Sequence, residues 1–319
     1  MCVNNAVMDG LKSKLSEILY FISDKDDVVY LDYPFHYNVG DILIFLGGVE
    51  FLRKNDIRVK KFYNINNFSL EKIKKDITKN TTILCHGGGN FGDIYQNHQK
   101  MRELVVQNFP DNRIIFLPQT IFFEDIESQE LSLNILKDHE NLIFFLRDLP
   151  SLKIIKPISE KSYLMPDMAH FLYGSLKANQ KAVKDELYFL RRDSEKIENQ
   201  NELLGKAAKS IDWCDIISYQ DEILLKKLKR LIKLNKVFKI SKIDNYIFEV
   251  WYKHCWELVY RCINDFSGYE KVITSRLHGH ILTCLLERNS VLLNNSYGKN
   301  KAYYELWTKE LAEYIDQSS

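Results

Sequence analysis

The stretch of this chain best suited to chemistry is Ser275-Arg276-Leu277-His278-Gly279-His280, at the expected start of a helix. Cations there oppose the helix dipole at a cost of roughly 0.3–1 kcal/mol each. A chain that places Arg276, His278 and His280 where backbone N–H groups also point outward offers those charges to an anion. The alternative is that Arg276 pairs with a nearby Asp and the histidines are ordinary polar residues. Arg191-Arg192, at the end of an expected strand, is a second candidate clamp, because planar guanidinium groups match carboxylate and phosphate bidentately. One of the two is expected to face solvent or an internal carboxylate.

A glycine-rich stretch, His86-Gly87-Gly88-Gly89-Asn90-Phe91-Gly92-Asp93, follows the apolar run 81–85. Successive glycines let the chain turn sharply and let a ligand approach the main chain. Asn90 reads as the N-cap of the next helix, with Asp93 near its positive terminus. Asn38-Val39-Gly40-Asp41 repeats the form after the run 28–31. Two strand ends are therefore expected to deliver two similar helix N-termini along one sheet edge. Asp41 and Asp93 are either capping carboxylates or acid–base groups. Arg147-Asp148, and Asp167 of Met165-Pro166-Asp167, end later strands and read first as structural. The glycine stretch satisfies GxGxxG, but the next strand, 114–117, ends without a ribose-binding acid. His86 to Gly89 resembles an esterase oxyanion loop, yet the chain lacks GxSxG, and it lacks GxxxxGK[ST], HExxH and zinc spacing as well.

The elements that must position these residues alternate between strand and helix. Strands are expected over 28–31, 58–63, 81–85, 113–117, 141–146 and 162–164, with helices over 9–23, 38–53, 69–79, from Asn90 to near Pro110, and 127–138. Small and polar residues over 174–184 read as a linker, which divides the chain into domains 1–176 and 177–319. The second carries strands at 187–190, 216–218, 271–274 and 291–293. Its helices are expected over 220–239, 245–264, from Ser275, and 300–315, the last able to pack back on the first domain. This is an α/β pattern of parallel sheets flanked by helices, in which ligands bind outside the carboxyl ends of the strands.

With 319 residues the chain is long enough for about two domains of ~150 residues. Its 44 Lys and Arg against 43 Asp and Glu leave no net field to hold nucleic acid. Six cysteines without CxxC pairing read as reduced thiols, and a chain with no signal-like N-terminus and no long apolar run reads as cytoplasmic. Residues 224–239 form a basic amphipathic helix, read either as a surface helix with its apolar face on the core or as a peripheral contact with an anionic membrane.

Taken in order, Asn38 to Asp41, His86 to Asp93, Met165 to Asp167, Arg191 to Asp193, Ser275 to Gly279 and Tyr297-Gly298-Lys299 resemble the polysaccharide pyruvyl transferase family. The resemblance implies two Rossmann-like domains facing a cleft, as in GT-B glycosyltransferases. It also implies transfer of pyruvate from phosphoenolpyruvate onto two hydroxyls of one sugar as a cyclic ketal. The acceptor would be a capsular, exopolysaccharide or cell-wall glycan precursor, lipid-linked or free, with no obligatory metal or redox cofactor. On that reading Arg276, Arg191, Arg192, Ser275, Leu277 and Gly279 bind the donor, and His278 transfers the proton. Asp93 or Asp41 activates the acceptor, Asn38, Gly40, Gly87, Gly88, Gly89, Asn90, Gly92, Asp167 and Lys299 line the cleft, and domain closure excludes water. A nucleotide-sugar glycosyltransferase and a non-catalytic glycan-binding protein are the alternatives.

Overall fold

The computed structural model describes residues 2–193, 209–294 and 298–316. Helix α1 (Cys2–Ser16) leads into the first sheet and its helices: β1 (Val28–Leu31), α2 (Val39–Lys54), β2 (Val59–Tyr63), α3 (Leu70–Asp76), β3 (Thr82–Cys85), β4 (Gly88–Phe91), α4 (Gln96–Asn108), β5 (Ile114–Ile121), α5 (Ile126–Lys137), β6 (Leu142–Leu146), α6 (Leu149–Ile155) and β7 (Ser162–Leu164). The strands are all parallel in the order β2-β1-β3-β5-β6-β7, and β4 pairs with β5 beyond the end of β3. A 3-10 turn, Met168–Leu172, closes the unit.

The second sheet is built from β8 (Lys184–Phe189), β9 (Ser210–Ile211), α7 (Trp213–Ile216), α8 (Tyr219–Phe238), α9 (Ser241–Ser267), β10 (Tyr269–Thr274), α10 (Leu277–Leu285), β11 (Asn289–Leu293), α11 (Lys299–Tyr303) and β12 (Ala312–Ile315). Its strands are parallel in the order β12-β11-β10-β8-β9. The protein is thus α/β with parallel sheets flanked by helices.

Several local expectations are corrected. Asn90 does not cap a helix: residues 88–91 pair with β5 as a strand, and α4 starts only at Gln96. The backbone explains this, since Gly88 and Gly92 take φ of 111° and 134°, which no helix can include. Asn38 does cap α2, accepting from the Gly40 N–H at 3.0 Å. Strand β5 runs through Pro118, tolerated at a register shift between Phe116 and Gln119 where the ladder requires no donor. Residues 213–216 are helical, and the neighbour of β8 is β9. The expected final helix gives way at Ala312 to an edge strand paired with β11.

Helix α2 is expected to bury one face, yet every side chain from Ile42 to Leu46 is buried. The cause is packing on three sides: sheet one, the Met168–Leu172 turn, and the long α9, which crosses from the second unit. Trp251 Nε1 donates to the Pro34 carbonyl at 2.7 Å, and Phe248 stacks on Phe62 at 4.0 Å. One apolar core therefore runs from α1 through α2, α9 and α10.

Three histidines are sealed in this interior. Burial pushes the imidazoles of His86 and His170 down to about 4 and that of His280 down to about 3. His280 is held by Ser290 and Thr308, whereas neither nitrogen of His170 has a partner among the described residues. The unfolded chain takes up these protons near pH ~6.5. From there down to about pH 4 the unfolded state binds more protons, so stability falls on acidification by on the order of 1 kcal/mol per pH unit per histidine. The urea midpoint should drop steadily between about pH 7 and pH 4.5, and a flat midpoint would contradict the burial of neutral imidazoles.

Candidate active site between the two sheets

The carboxyl ends of both sheets open onto one cavity of about 430 Å³. From the first sheet come Asn38 and Asp41 at the start of α2, Gly89 and Asn90 of β4, His98 of α4, Thr120 of β5, and Arg147 and Asp148 after β6. The second contributes Arg191 and Asp193 after β8, Trp213, and Arg276, Leu277 and His278 where β10 turns into α10. Asn300 and Tyr303 of α11 complete the wall.

The two halves meet at Asp167, which has no exposed surface. Its Oδ2 accepts from Arg147 Nη1 and lies 3.3 Å from His278 Nε2. Oδ1 accepts from the Ala169 N–H, and its own N–H donates to Tyr303 Oη at 2.9 Å. Burial alone would push this carboxyl up. The charges of His278 and Arg147, with the hydrogen bonds to it, outweigh that and hold it far below the usual carboxylate range. The opposite face of His278 lies against Gly40, where a Cβ would fall 2.8 Å from Nδ1. Only glycine lets α2 approach the ring this closely.

A second buried carboxylate, Asp32, follows β1 with a left-handed φ of 67°. Arg102 Nη2 donates to it at 2.9 Å, His98 Nδ1 lies 2.6 Å away, and Asn90 Nδ2 donates at 3.2 Å. Burial raises the Asp32 pKa, but the His98 hydrogen bond and the Arg102 charge bring it below the ordinary value. Asp32 thus orients His98, which reaches the cavity. Sequence reading missed this cluster because Asp32 lies 58 to 70 residues from its partners and no motif joins them. The available signal was an Asp and an Arg that find no exposed face.

Arg276 follows the structural alternative: Nε and Nη2 clasp Asp212 at 2.8 and 2.7 Å, and Nη1 lies 2.8 Å from Asp193. Arg191 also holds Asp193, at 2.8 Å. Arg192 is not in the cavity, because it turns outward to Asp215 and the Ser210 carbonyl. Asp93 is also outside, its carboxylate accepting from the N–H groups of Glu124 and Asp125 at 2.9 and 2.8 Å. Ser275 lies beneath the wall, accepting from the Arg191 N–H. Gly279 packs α10 on Thr274 and Phe189, Gly87 lies under the Pro118 carbonyl, Gly88 faces Ile44 and Asp41, and Gly92 packs on Phe122. Asp41 lines the cavity 3.7 Å from His36 Nε2. The Lys299 side chain and Tyr297 lie outside the described residues. No group of three or more His, Cys, Asp or Glu arranged to hold a metal occurs among the described residues.

Fold and site together define a two-sheet α/β protein whose shared cavity gathers arginines, histidines and carboxylates. The family model for polysaccharide pyruvyl transferases matches residues 38–297, and the chain belongs to that family. It is 37% identical over 94% of its length to EpsO of Bacillus subtilis, provisionally named a pyruvyl transferase, covering 91% of that protein. It is 27% identical to pyruvyl transferase 1 of Schizosaccharomyces pombe, over 90% of this chain and 71% of the relative. A crystal structure of a functionally uncharacterized Klebsiella pneumoniae protein shares the fold with a TM-score of 0.61 at 20% identity, covering 97% of this chain and 99% of that one.

The Asp32–Arg102 pair yields a stability prediction. Both side chains are 1% exposed, so Arg102→Met, which removes the buried carboxylate's guanidinium partner, should cost about 3–5 kcal/mol. Asp32→Asn combined with Arg102→Met should cost less than the sum of the single changes in urea unfolding, and strict additivity would show that the two do not interact.

Proposed function

We propose that the protein moves pyruvate from phosphoenolpyruvate onto two hydroxyls of one sugar in a capsular, exopolysaccharide or cell-wall glycan precursor, closing a cyclic ketal. Family membership supports pyruvyl transfer in polysaccharide synthesis. What supports the donor is the meeting of Arg191, Arg276 and His278 on one wall of one cavity. Phosphoenolpyruvate carries a phosphate and a carboxylate, and this wall offers two guanidinium groups beside the N–H groups of the first turn of α10. The donor's phosphate takes the place of Asp193, a 43% exposed carboxylate that both arginines share.

His278, oriented by Asp167, gives a proton to the methylene carbon, leaving oxocarbenium character at the central carbon. A sugar hydroxyl adds there and passes its proton to His98 or Asp41 on the first-sheet wall. The bond from the central carbon to the phosphate oxygen then breaks, inorganic phosphate leaves, and a second hydroxyl adds and loses its proton. No carbon is oxidised or reduced overall by an outside agent, so the chemistry needs no redox cofactor.

Thermal shifts test the donor without knowledge of the acceptor. Phosphoenolpyruvate at ~100 times its dissociation constant should stabilise by about 2.7 kcal/mol, a rise of a few degrees. Arg191→Ala or Arg276→Ala should remove the shift, and Asp193→Asn, which removes the competing carboxylate, should tighten binding. His278→Gln should keep the shift and, with the true acceptor, lose turnover. A shift produced by nucleotide sugars and not by phosphoenolpyruvate would overturn the donor assignment.

A further inference from the structure

Between Ile223 and Ile243 the chain carries eight Lys and Arg residues and no Asp or Glu, in a protein whose net charge is +1. All eight are exposed. Two are engaged, Lys226 with Glu222 at 3.6 Å and Lys239 with Glu71 at 2.9 Å, and the other six have no ion-pair partner among the described residues. Helix α8 buries Leu228, Ile232 and Asn235, so its apolar face toward the core is accounted for. The solvent side of its last turns is nevertheless apolar too: Leu234, Val237 and Phe238 are 57, 77 and 67% exposed, followed by Ile240 at 45%.

This corner is held in shape. Lys239 takes a left-handed φ of 53°, and the buried Asn235 side chain both donates to the Ile240 carbonyl at 3.0 Å and accepts from its N–H at 2.9 Å. Lys72 with Asp244, at 3.1 Å, and Lys239 with Glu71 fasten the joint between α8 and α9 to α3. A fixed turn therefore displays bulky apolar side chains into solvent amid unpaired cations.

We propose that this corner docks the protein on an anionic phospholipid surface, the cations meeting headgroup phosphates while Leu234, Val237, Phe238 and Ile240 enter the acyl boundary. Polyanionic nucleic acid would satisfy the cations and leave the apolar side chains without a partner, whereas a bilayer takes both. No helix among the described residues is long and apolar enough to cross a membrane, so the contact is peripheral. The inference does not rest on the donor assignment, since its readout is partitioning and the phosphoenolpyruvate shift is measured without lipid.

The test is flotation of the purified protein with vesicles of phosphatidylcholine alone or mixed with phosphatidylglycerol. The protein should float with the anionic vesicles only, and be released in ~1 M salt, where the screening length falls to ~3 Å. Lys229→Gln, Arg230→Gln and Lys233→Gln together should weaken partitioning about a hundredfold, at roughly fivefold per cation. Val237→Ser with Phe238→Ser should weaken it about tenfold or more while leaving the salt dependence in place. All five positions are exposed, and circular dichroism would verify that the variants fold. No binding to anionic vesicles, equal binding to neutral ones, equally tight binding to homopolymeric RNA at the same salt, or a dimer dissolved by Phe238→Ser would each overturn the proposal.

Discussion

The buried carboxylate of Asp167 is the constraint on which the arrangement of the two sheets depends. A carboxylate without water is tolerated only when charge and hydrogen bonds replace its hydration, and removing a partner from such a group costs several kcal/mol. Here the partners come from both halves of the chain, Arg147 and Ala169 from the first and His278 from the second, while the Asp167 backbone N–H donates to the Tyr303 hydroxyl of the second. Trp307 Nε1, which donates to the Arg147 carbonyl at 2.7 Å, adds a second fastening at the same place. Helices α10 and α11 can therefore dock on the first sheet in essentially one register. The apolar core that continues through α2, α9 and α10 supports that register over a wide area. Exclusion of water by wholesale domain closure, expected from the family resemblance, would have to work against this shared core. An interface of that extent and apolarity favours a fixed cavity.

The regular parts of the fold were legible because their signals are local. Strands β1 and β7 fall at the residues expected, and α2 starts at its Asn cap, since a short run of β-branched, aromatic or aliphatic residues and a capping side chain act within a few positions. The stretch from Gly87 to Asp93 was misread because glycine permits several backbones and the pairing with β5 chooses among them. Strand β12 was hidden for a similar reason: residues 312–315 become a strand only by pairing with β11. At the site, Arg276, Arg191, His278 and Asp41 could be singled out by their place at expected strand ends or helix starts. Asp32, His98 and Arg102 could not, because each takes its meaning from partners dozens of residues away.

Each arginine in and around the cavity is met by a carboxylate, and the manner differs from one arginine to the next. Arg102 is matched by Asp32 and Arg147 by Asp167, pairs whose carboxylates are buried, so the arginines cannot exchange partners without leaving a bare carboxylate in the interior. Arg276 divides its guanidinium between Asp212, which is buried, and Asp193, which is not. Replacing Asp212 would strand a charge in the protein, whereas the side chain of Asp193 is 43% exposed and its ion pair is screened by solvent. The guanidinium is therefore held asymmetrically: Asp212 fixes its plane from the protein side, and Asp193 meets the edge shared with Arg191 from the solvent side. A ligand carrying two negative charges competes well with a single exposed carboxylate, and a neutral sugar does not. On the proposed function, the pairing that makes Arg276 look structural is the one that a doubly charged donor would displace.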